Sequence, residues 1–396
     1  MAKPISVPSK RAQLHVVSST GQFPVSRVQR ASFTGDLPST TVDELGNSSH
    51  VGDVKDVPTV TLTFSVFDVG IKAFAALTGT SATAYPAAGV DISELGEFDA
   101  IIFTRSDITS DYIKAGHLRR LQIRDFTYTY TVDGESTEDY TAIGSEKRWF
   151  SKDVVVDRFV AGTTSFTLTN TPIILKNGRK VLSVILDGVY LTEVAAAPAS
   201  GEYAVAGTTL TTFDSRVTDC VVIYQADPVG SNWSDVSDTQ SAVAIRGRDV
   251  HVNIAANDIS RVQSINFNGT LNATEVRELG NRTILGYQKQ VPEITGTITV
   301  LDTDTELMSL LQYGVVASGS EYSPGEGCVA GGVAIKIELT DPCDETVPLT
   351  VLKTVYADSI SVTGDSYTMN VGDNVTVAFN FKSTTGHLVV YSGEMP

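Results

Sequence analysis

Apolar and polar residues alternate strictly along Thr59–Phe67 (TVTLTFSVF) and along Phe126–Val132 (FTYTYTV). That period of two is the pattern of a strand with one buried and one wet face. Most of the remaining chain reads the same way, with short runs of Thr, Val, Tyr, Phe and Ile broken by Gly, Asp, Asn and Pro, so the expected class is mainly β. Helical periodicity is confined to two stretches. Phe67–Gly79 puts Ile71, Phe74, Ala75 and Leu77 on one face, and Asp302–Gly314 follows an Asp cap with Leu307, Leu310 and Leu311; both close at a glycine. Hairpins are expected over Leu118–Gly144 and Val351–Phe381, where VDGES and VGDN supply turn chemistry.

The pattern occurs twice. Ser26–Asn47 reads SRVQRASFTGDLPSTTVDELGN and Ser260–Asn281 reads SRVQSINFNGTLNATEVRELGN. The offset from Arg27 to Arg261 is 234 residues, and it carries without a gap to Asp68 and Asp302, with about half of the paired positions identical. A duplicated domain is the expectation. Val60, Leu62, Phe64 and Val66 are answered by Ile294, Gly296, Ile298 and Val300, and a slip of one residue would invert both faces, so register is strongly specified. Beyond the helices identity fades while the order of elements persists, except that the second copy lacks the GSEKRWF ending of Gly144–Phe150. Between the copies, Asp153–Gln225 holds at least four short strands with Gly and Asn turns, which suggests a small β-sandwich, and Asp227–Ser241 reads as a polar linker. The expected domains are residues 1–152, 153–241 and 242–396.

Length and composition fit this division. A chain of 396 residues exceeds one ordinary core. No apolar run approaches the roughly 20 residues of a spanning helix, and the first residues lack an apolar stretch after their charge, so a soluble protein made without export is expected. A formal net charge of −17 argues against gripping nucleic acid but suits a surface that nucleic acid must pass without sticking. Cys220, Cys328 and Cys343 form no Cys-x-x-Cys pair; Cys328 and Cys343 could pair across a loop, though reduced thiols in β structure are the plainer reading.

Chemistry is sparse. The five histidines (His15, His50, His117, His251 and His387) are dispersed, and no nucleophile elbow, zinc-protease, Walker A or dinucleotide motif appears. Asp302–Glu306 lacks the spacing of a calcium loop. Asp133, Glu135, Glu138 and Asp139 crowd one turn, which reads as a solvated or DNA-repelling hairpin rather than a metal site. No catalytic, cofactor or metal site is expected.

The strand SRVQRASFTGDL, the long polar loop PSTTVDELGNSSHVGDVKDVP, the strand TVTLTFSVFD with its helix and the hairpin YTVDGESTEDYTAIGSEKRW together resemble the tail tube protein of tailed bacteriophages. The pattern covers about Ala12–Phe150 and again Arg246–Val390, similar to the doubled tube proteins of long-tailed siphophages. The resemblance implies two tandem tube-type domains, each with one short flanking helix, plus an inserted β-sandwich decorating the outer surface. It implies a virion protein assembled in the host cytoplasm, with three chains per pseudo-sixfold ring and rings stacked into a tube. Its partners would be further copies of itself, tape measure protein and then genomic DNA in the lumen, and tail terminator and distal tail proteins at the ends, with no membrane insertion and no cofactor. Whether such a tail is flexible or contractile stays open.

Geometry accommodates that expectation. Four barrel strands per copy give about 24 in three chains, and at ~4.8 Å spacing and ~40° tilt the backbone radius is roughly 24 Å, wide enough for a duplex ~20 Å across. The lumen-facing candidates are the polar sets. In copy one these are Ser32, Thr34, Asp36, Thr59, Thr61, Thr63, Ser65, Thr127, Thr129 and Thr131; in copy two they are Asn266, Asn268, Thr270, Glu293, Thr295, Thr297, Thr299, Ser359 and Ser361. An ordinary antiparallel sheet with one wet face gives the same pattern. The loops Pro38–Pro58 and Asn272–Pro292 are long for hairpin connections; their Asp43, Glu44, Leu45, Gly46 and Asn47, and Arg277, Glu278, Leu279, Gly280 and Asn281, are by resemblance contacts to neighbouring subunits and the next ring. Two other classes remain open: a glycan- or cell-surface-binding β-sandwich module of a virion, for which Trp233 and Tyr224 are the aromatic candidates, and a β-rich hydrolase needing two converging carboxylates.

Overall fold

In a computed structural model the chain is mainly β. The structure describes residues 12–25, 27–43, 50–67, 74, 77–78, 89–105, 112–151, 153–160, 162–176, 178–215, 219–226, 245–259, 261–279, 284–301, 310, 332–343, 349–369 and 374–395.

The first segment carries β1 (Ala12–Ser18), β2 (Gly21–Pro24), β3 (Val28–Asp36), β4 (Ser39–Val42), β5 (Gly52–Lys55), β6 (Thr59–Val66), β7 (Val90–Asp91), β8 (Phe98–Arg105), β9 (Tyr112–Thr131), β10 (Thr137–Gly144) and β11 (Glu146–Phe150). The middle segment carries β12 (Val154–Phe159), β13 (Ser165–Thr167), β14 (Ser183–Leu186), β15 (Val189–Tyr190), β16 (Thr192–Val194), β17 (Glu202–Ala206), β18 (Thr209–Thr212) and β19 (Cys220–Gln225). The last segment carries β20 (Val250–Ile254), β21 (Asn257–Asp258), β22 (Val262–Thr270), β23 (Thr274–Val276), β24 (Gly286–Gln288), β25 (Glu293–Leu301), β26 (Val333–Thr340), β27 (Val351–Thr368), β28 (Thr376–Ser383) and β29 (Leu388–Ser392).

The strand pairings of the first segment recur in the last. Phe33↔Leu62 and Gly35↔Val60 join β3 to β6, and Phe267↔Gly296 and Gly269↔Ile294 join β22 to β25. Thr127↔Asp139 and Thr129↔Thr137 join β9 to β10, as Ser366↔Ala378 and Thr368↔Thr376 join β27 to β28. Even the irregularities repeat, since both hairpins carry a bulge one pair further on, Asp125↔Thr141 to Ile123↔Ala142 and Gly364↔Asn380 to Val362↔Phe381.

Each segment folds as two stacked layers because one long strand serves both. β9 pairs with β8 and β11 through its first half and with β10 and β22 through its second. It turns between them at Arg120, whose φ of 55° is left-handed backbone; Ser359, at 51°, does the same for β27. Between the layers lies one continuous core that includes Leu62, Phe64, Ile123, Tyr128, Ile265, Phe267, Ile337, Val355 and Phe379.

One strand escapes the alternation rule. β8 (FDAIIFTR) is buried at every position except Arg105, because β1 and β9 flank it while both of its faces are covered. β26 holds the corresponding place beside β20 and β27 but keeps the alternation, buried at every second position from Val333 to Leu339. The GSEKRWF ending is absent from the second copy, yet a strand stands in its place: β29 pairs Val389↔Tyr356 and Val390↔Val355 on β27, just as β11 pairs Arg148↔His117 and Trp149↔Gly116 on β9. Pairing survives there although the residues do not.

The middle segment forms two four-stranded sheets, β12-β19-β14-β15 and β13-β18-β17-β16, around Phe166, Val184, Tyr203, Leu210 and Val222. A second apolar cluster, in which Leu182, Ile185, Val221 and Ile223 meet Val17, Ile101, Phe103 and Ala115, seats it on the β1-β8-β9 layer. The expected linker at residues 227–241 lies outside the described residues. Of the two expected helical stretches, Phe74, Leu77 and Leu310 are described; they are helical and buried, and most of the remainder lies outside the described residues.

Candidate assembly surface

Eight strands run edge to edge in the order β3, β6, β10, β9, β22, β25, β28, β27. Their common wet face is built from the alternate residues of each strand. Ser32, Thr34 and Asp36 are exposed; Thr59, Thr61, Thr63, Ser65, Thr127, Thr129 and Thr131 are half-buried, opposite a core face on which Val60, Leu62, Phe64, Val66, Tyr128 and Tyr130 are buried. In the last segment Asn266, Thr270, Thr295, Thr297 and Thr299 are half-buried and Asn268 and Glu293 exposed.

Side chains on this face bond to one another. Thr127 Oγ1 donates to Asn268 Oδ1 at 3.0 Å, Thr270 Oγ1 to Asp125 Oδ1 at 3.1 Å and Thr297 Oγ1 to Asn380 Oδ1 at 2.8 Å. Its charges lean slightly acidic, since Asp36, Asp125, Asp139 and Glu293 stand against Arg30, Arg124 and Lys382; Arg124 pairs with Asp125 at 2.7 Å and Lys382 with Glu293 at 3.0 Å. Such a face offers phosphate little counter-charge.

Ser359 needs correction as a counterpart of the Thr127–Thr131 row. It occupies the left-handed turn of β27, outside the ladder to β28, and only Ser361 shares the Thr295 face, through Lys382. Ser366 and Thr368 are the residues in register with Thr127 and Thr129, and with Thr141, Asp139 and Asn380 they were missed. Their signal was the alternation in TEDYTAIG and VAFNF, read together with the bulge that shifts β27 by one position.

The two segments meet at a joint made by β9 and β22. Asn268↔Thr127, Phe267↔Tyr128 and Ile265↔Tyr130 are among its pairs. The Phe126 ring lies over Gly269 so closely that a Cβ there would stand 1.9 Å from it, which requires glycine. Beneath the joint, Lys353 and Glu138 form an ion pair with both side chains buried; Glu138 also accepts from the Tyr140 hydroxyl at 2.8 Å, and the Lys353 ammonium lies 5.1 Å from the Tyr128 ring. The acidic turn is therefore not wholly solvated: Glu138 points into the core. Burial first, and the Glu138 carboxylate second, hold the Tyr140 hydroxyl well above its ordinary value. A cavity of about 30 Å³ beside Tyr130, Gly247 and Ile265 has room for roughly one water and no ligand.

The long loops are not irregular. Each forms a two-stranded arm, with Thr40↔Val54 in β4–β5 and Thr274↔Gln288 in β23–β24 at the same offset as the repeat. The second arm lies on the first segment: Tyr287 Oη donates to the Ile143 carbonyl at 3.0 Å, Tyr287 N–H to Glu97 at 3.2 Å and Ile284 N–H to Ser145 Oγ at 3.2 Å. The first arm is exposed along β4. At the arm tips Asp43 is exposed and bonds His50, Arg277 pairs with Glu275 and reaches Asp56 at 3.9 Å, and Glu278 and Leu279 are exposed. Glu44, Leu45, Gly46, Asn47, Gly280 and Asn281 lie outside the described residues.

A second polar cluster ties the middle segment to β9. Asp99 accepts from His117 Nε2 at 2.9 Å, Tyr190 Oη at 2.7 Å and Arg120 N–H at 2.8 Å, while Arg119 donates to Ser183 Oγ at 3.0 Å and to Glu146 at 3.0 Å. Burial raises the Asp99 carboxyl, but the His117 bond and charge, together with the Ser183 and Arg120 N–H bonds, outweigh it and leave it below the ordinary aspartate value.

Tyr224 is corrected as an exposed aromatic. It is buried, and its hydroxyl donates to Asp157 at 2.8 Å. Trp233 and Cys328 lie outside the described residues; Cys220 is buried and Cys343 exposed with a free thiol. Among the described residues no group of His, Cys, Asp and Glu side chains could hold a metal ion, and no helix is long and apolar enough to cross a membrane. Comparison with protein-family models and with curated proteins finds no match for the chain.

Proposed function

We propose that the chain is a structural subunit of a bacteriophage tail tube, built from two tandem tube-type domains that arose by duplication, each with one short flanking helix, and an inserted β-sandwich on the outside. Three chains complete a pseudo-sixfold ring, rings stack into a tube, and the wet faces of the eight-stranded sheets line the channel. Tape measure protein and then genomic DNA occupy that channel, terminator and distal tail proteins close its ends, and no step is catalytic. The protein acts in the virion tail after assembly in the host cytoplasm.

One observation carries this reading. Two segments with the same strand register are already joined edge to edge inside one chain, and β3 and β27, the strands at the two ends of the row, have no second strand partner along Val28–Asp36 and Asp365–Thr368 among the described residues. A row that repeats a rotation closes on itself or continues without limit. The polar, mildly acidic face supports a channel that lets DNA slide, since hydroxyls and amides hold phosphate weakly.

Sedimentation of the purified protein tests the reading. Particles of three chains of 42.2 kDa, or longer assemblies in multiples of three, are expected; a single monomer boundary at high concentration would contradict it.

A further inference from the structure

We infer that neighbouring chains join by an antiparallel pairing of β3 on one chain with the end of β27 on the next, in the register Thr34↔Ser366, and that the exposed β4–β5 arm then lies on the neighbour's last segment. The inference rests on the reading that copies of this chain close into a ring, and it deepens that reading by naming the surface and its register.

The joint inside the chain is the template. Moving Asn268↔Thr127 by the offsets that relate the segments, Asn268 to Thr34 and Thr127 to Ser366, aligns Ser32 with Thr368, Phe33 with Tyr367 and Asp36 with Gly364. The residues so aligned are the ones whose burial differs between the segments. Leu271 is 5% exposed at the inner joint, whereas Leu37, the same residue type at the same place, is 71% exposed. Tyr128 and Tyr130 are 0% and 1% exposed at the inner joint; their counterparts Tyr367 and Met369 are 50% and 69% exposed. An edge strand flanked by such side chains is a template for another strand, and a second copy presents the matching edge.

Charge picks the same partner. Phe126 covers Gly269 at the inner joint; its counterpart facing Gly35 is Asp365, an exposed carboxylate. The space above Gly35 is bordered by the Lys147 ammonium, 3.4 Å from where a Cβ would lie. The stacking of the inner joint is thus replaced by a pair of opposite charges, Asp365 with the neighbour's Lys147. Leu37 N–H comes opposite the Thr363 carbonyl, as Leu271 N–H meets the Arg124 carbonyl at 2.8 Å.

The test places a cysteine pair across the joint in the full chain, with Cys328→Ser and Cys343→Ser so that neither native thiol competes in the oxidation. Thr34→Cys with Ser366→Cys should give a ladder of covalent oligomers ending at a closed trimer on mild oxidation, because directly opposed residues lie within disulfide reach. The off-register pair Thr34→Cys with Thr368→Cys should give at least tenfold less. Lys147→Glu and Asp365→Lys should each block assembly while leaving the far-ultraviolet circular dichroism of the folded chain unchanged, and together restore assembly. Rings seen by electron microscopy without the Thr34–Ser366 product, or with the off-register product dominant, would overturn this joint and leave the tube reading standing. The product without any channel-bearing particle would retain the joint and remove the tube. Monomer alone, unlinked, would end both.

Discussion

Gly269 and Gly364 both sit in paired strands, yet only one is constrained by its surroundings. A methyl at Gly269 collides with the Phe126 ring, while the corresponding space at Gly364 is open. Gly269→Ala is therefore expected to cost about 1–3 kcal/mol, and Gly364→Ala to stay within about 0.5 kcal/mol, a contrast that denaturant melts of the two variants measure directly. The Glu138–Lys353 pair calls for a different experiment. Removing one buried charge strands the other, so Glu138→Leu alone should lose about 3–5 kcal/mol, while Glu138→Leu with Lys353→Met should recover most of it. Position 377, in register with Glu138, is Val377, and Lys114 stands in register with Lys353. The inner joint thus holds an ion pair that the proposed outer joint lacks, which gives the two joints different partners.

At the level of elements, the middle segment is held to β9 through Asp99. The sign of its pH dependence follows from the lowered carboxyl: protonation costs the folded state more than the unfolded one, so its contribution is present above the ordinary value of 3.8 and is lost as pH falls through the lower folded value. The difference in melting temperature between the parent and Asp99→Asn should be constant above pH 4 and shrink below it. A difference that widens toward low pH would refute the assignment.

Elements also show what could be read before folding. The alternating strands β6, β25 and the second half of β9 were legible because one face is wet and the other dry, and the Gly-Asp and Asp-Gly punctuation marked the hairpin turns. β8 was not legible, since a strand buried on both faces has no alternation to reveal it. β29 was lost from view because its residues no longer resemble β11 although its pairing does. The polar face could be assigned from residues alone only where no turn or bulge intervened: the left-handed turn at Ser359 takes that residue out of the row, and the bulge before Gly364 hid Ser366 and Thr368. Glu138 misled because an acidic turn is ordinarily solvated; its partner, Lys353, is far away along the chain and gave no local signal.

For the whole molecule, charge and symmetry act together. Each chain carries a formal net charge of −17, so chains repel at low ionic strength, and the screening length shortens from about 30 Å at 0.01 M to about 8 Å at 0.15 M. Assembly rate, followed by light scattering, should rise with salt over that range; a fall would mean that exposed ion pairs dominate the contact between chains. The repeated register places the burden of closure on two unlike joints, one inside the chain and one between chains, so the assembly should possess threefold symmetry with only approximate sixfold symmetry. Electron-microscope images of purified particles viewed end-on test that claim most directly: the account predicts a ring with a central hole, a barrel of about 24 strands at ~4.8 Å spacing and three outer lobes from the middle segments, whereas a solid particle, a true sixfold outline or monomers at high concentration would contradict it.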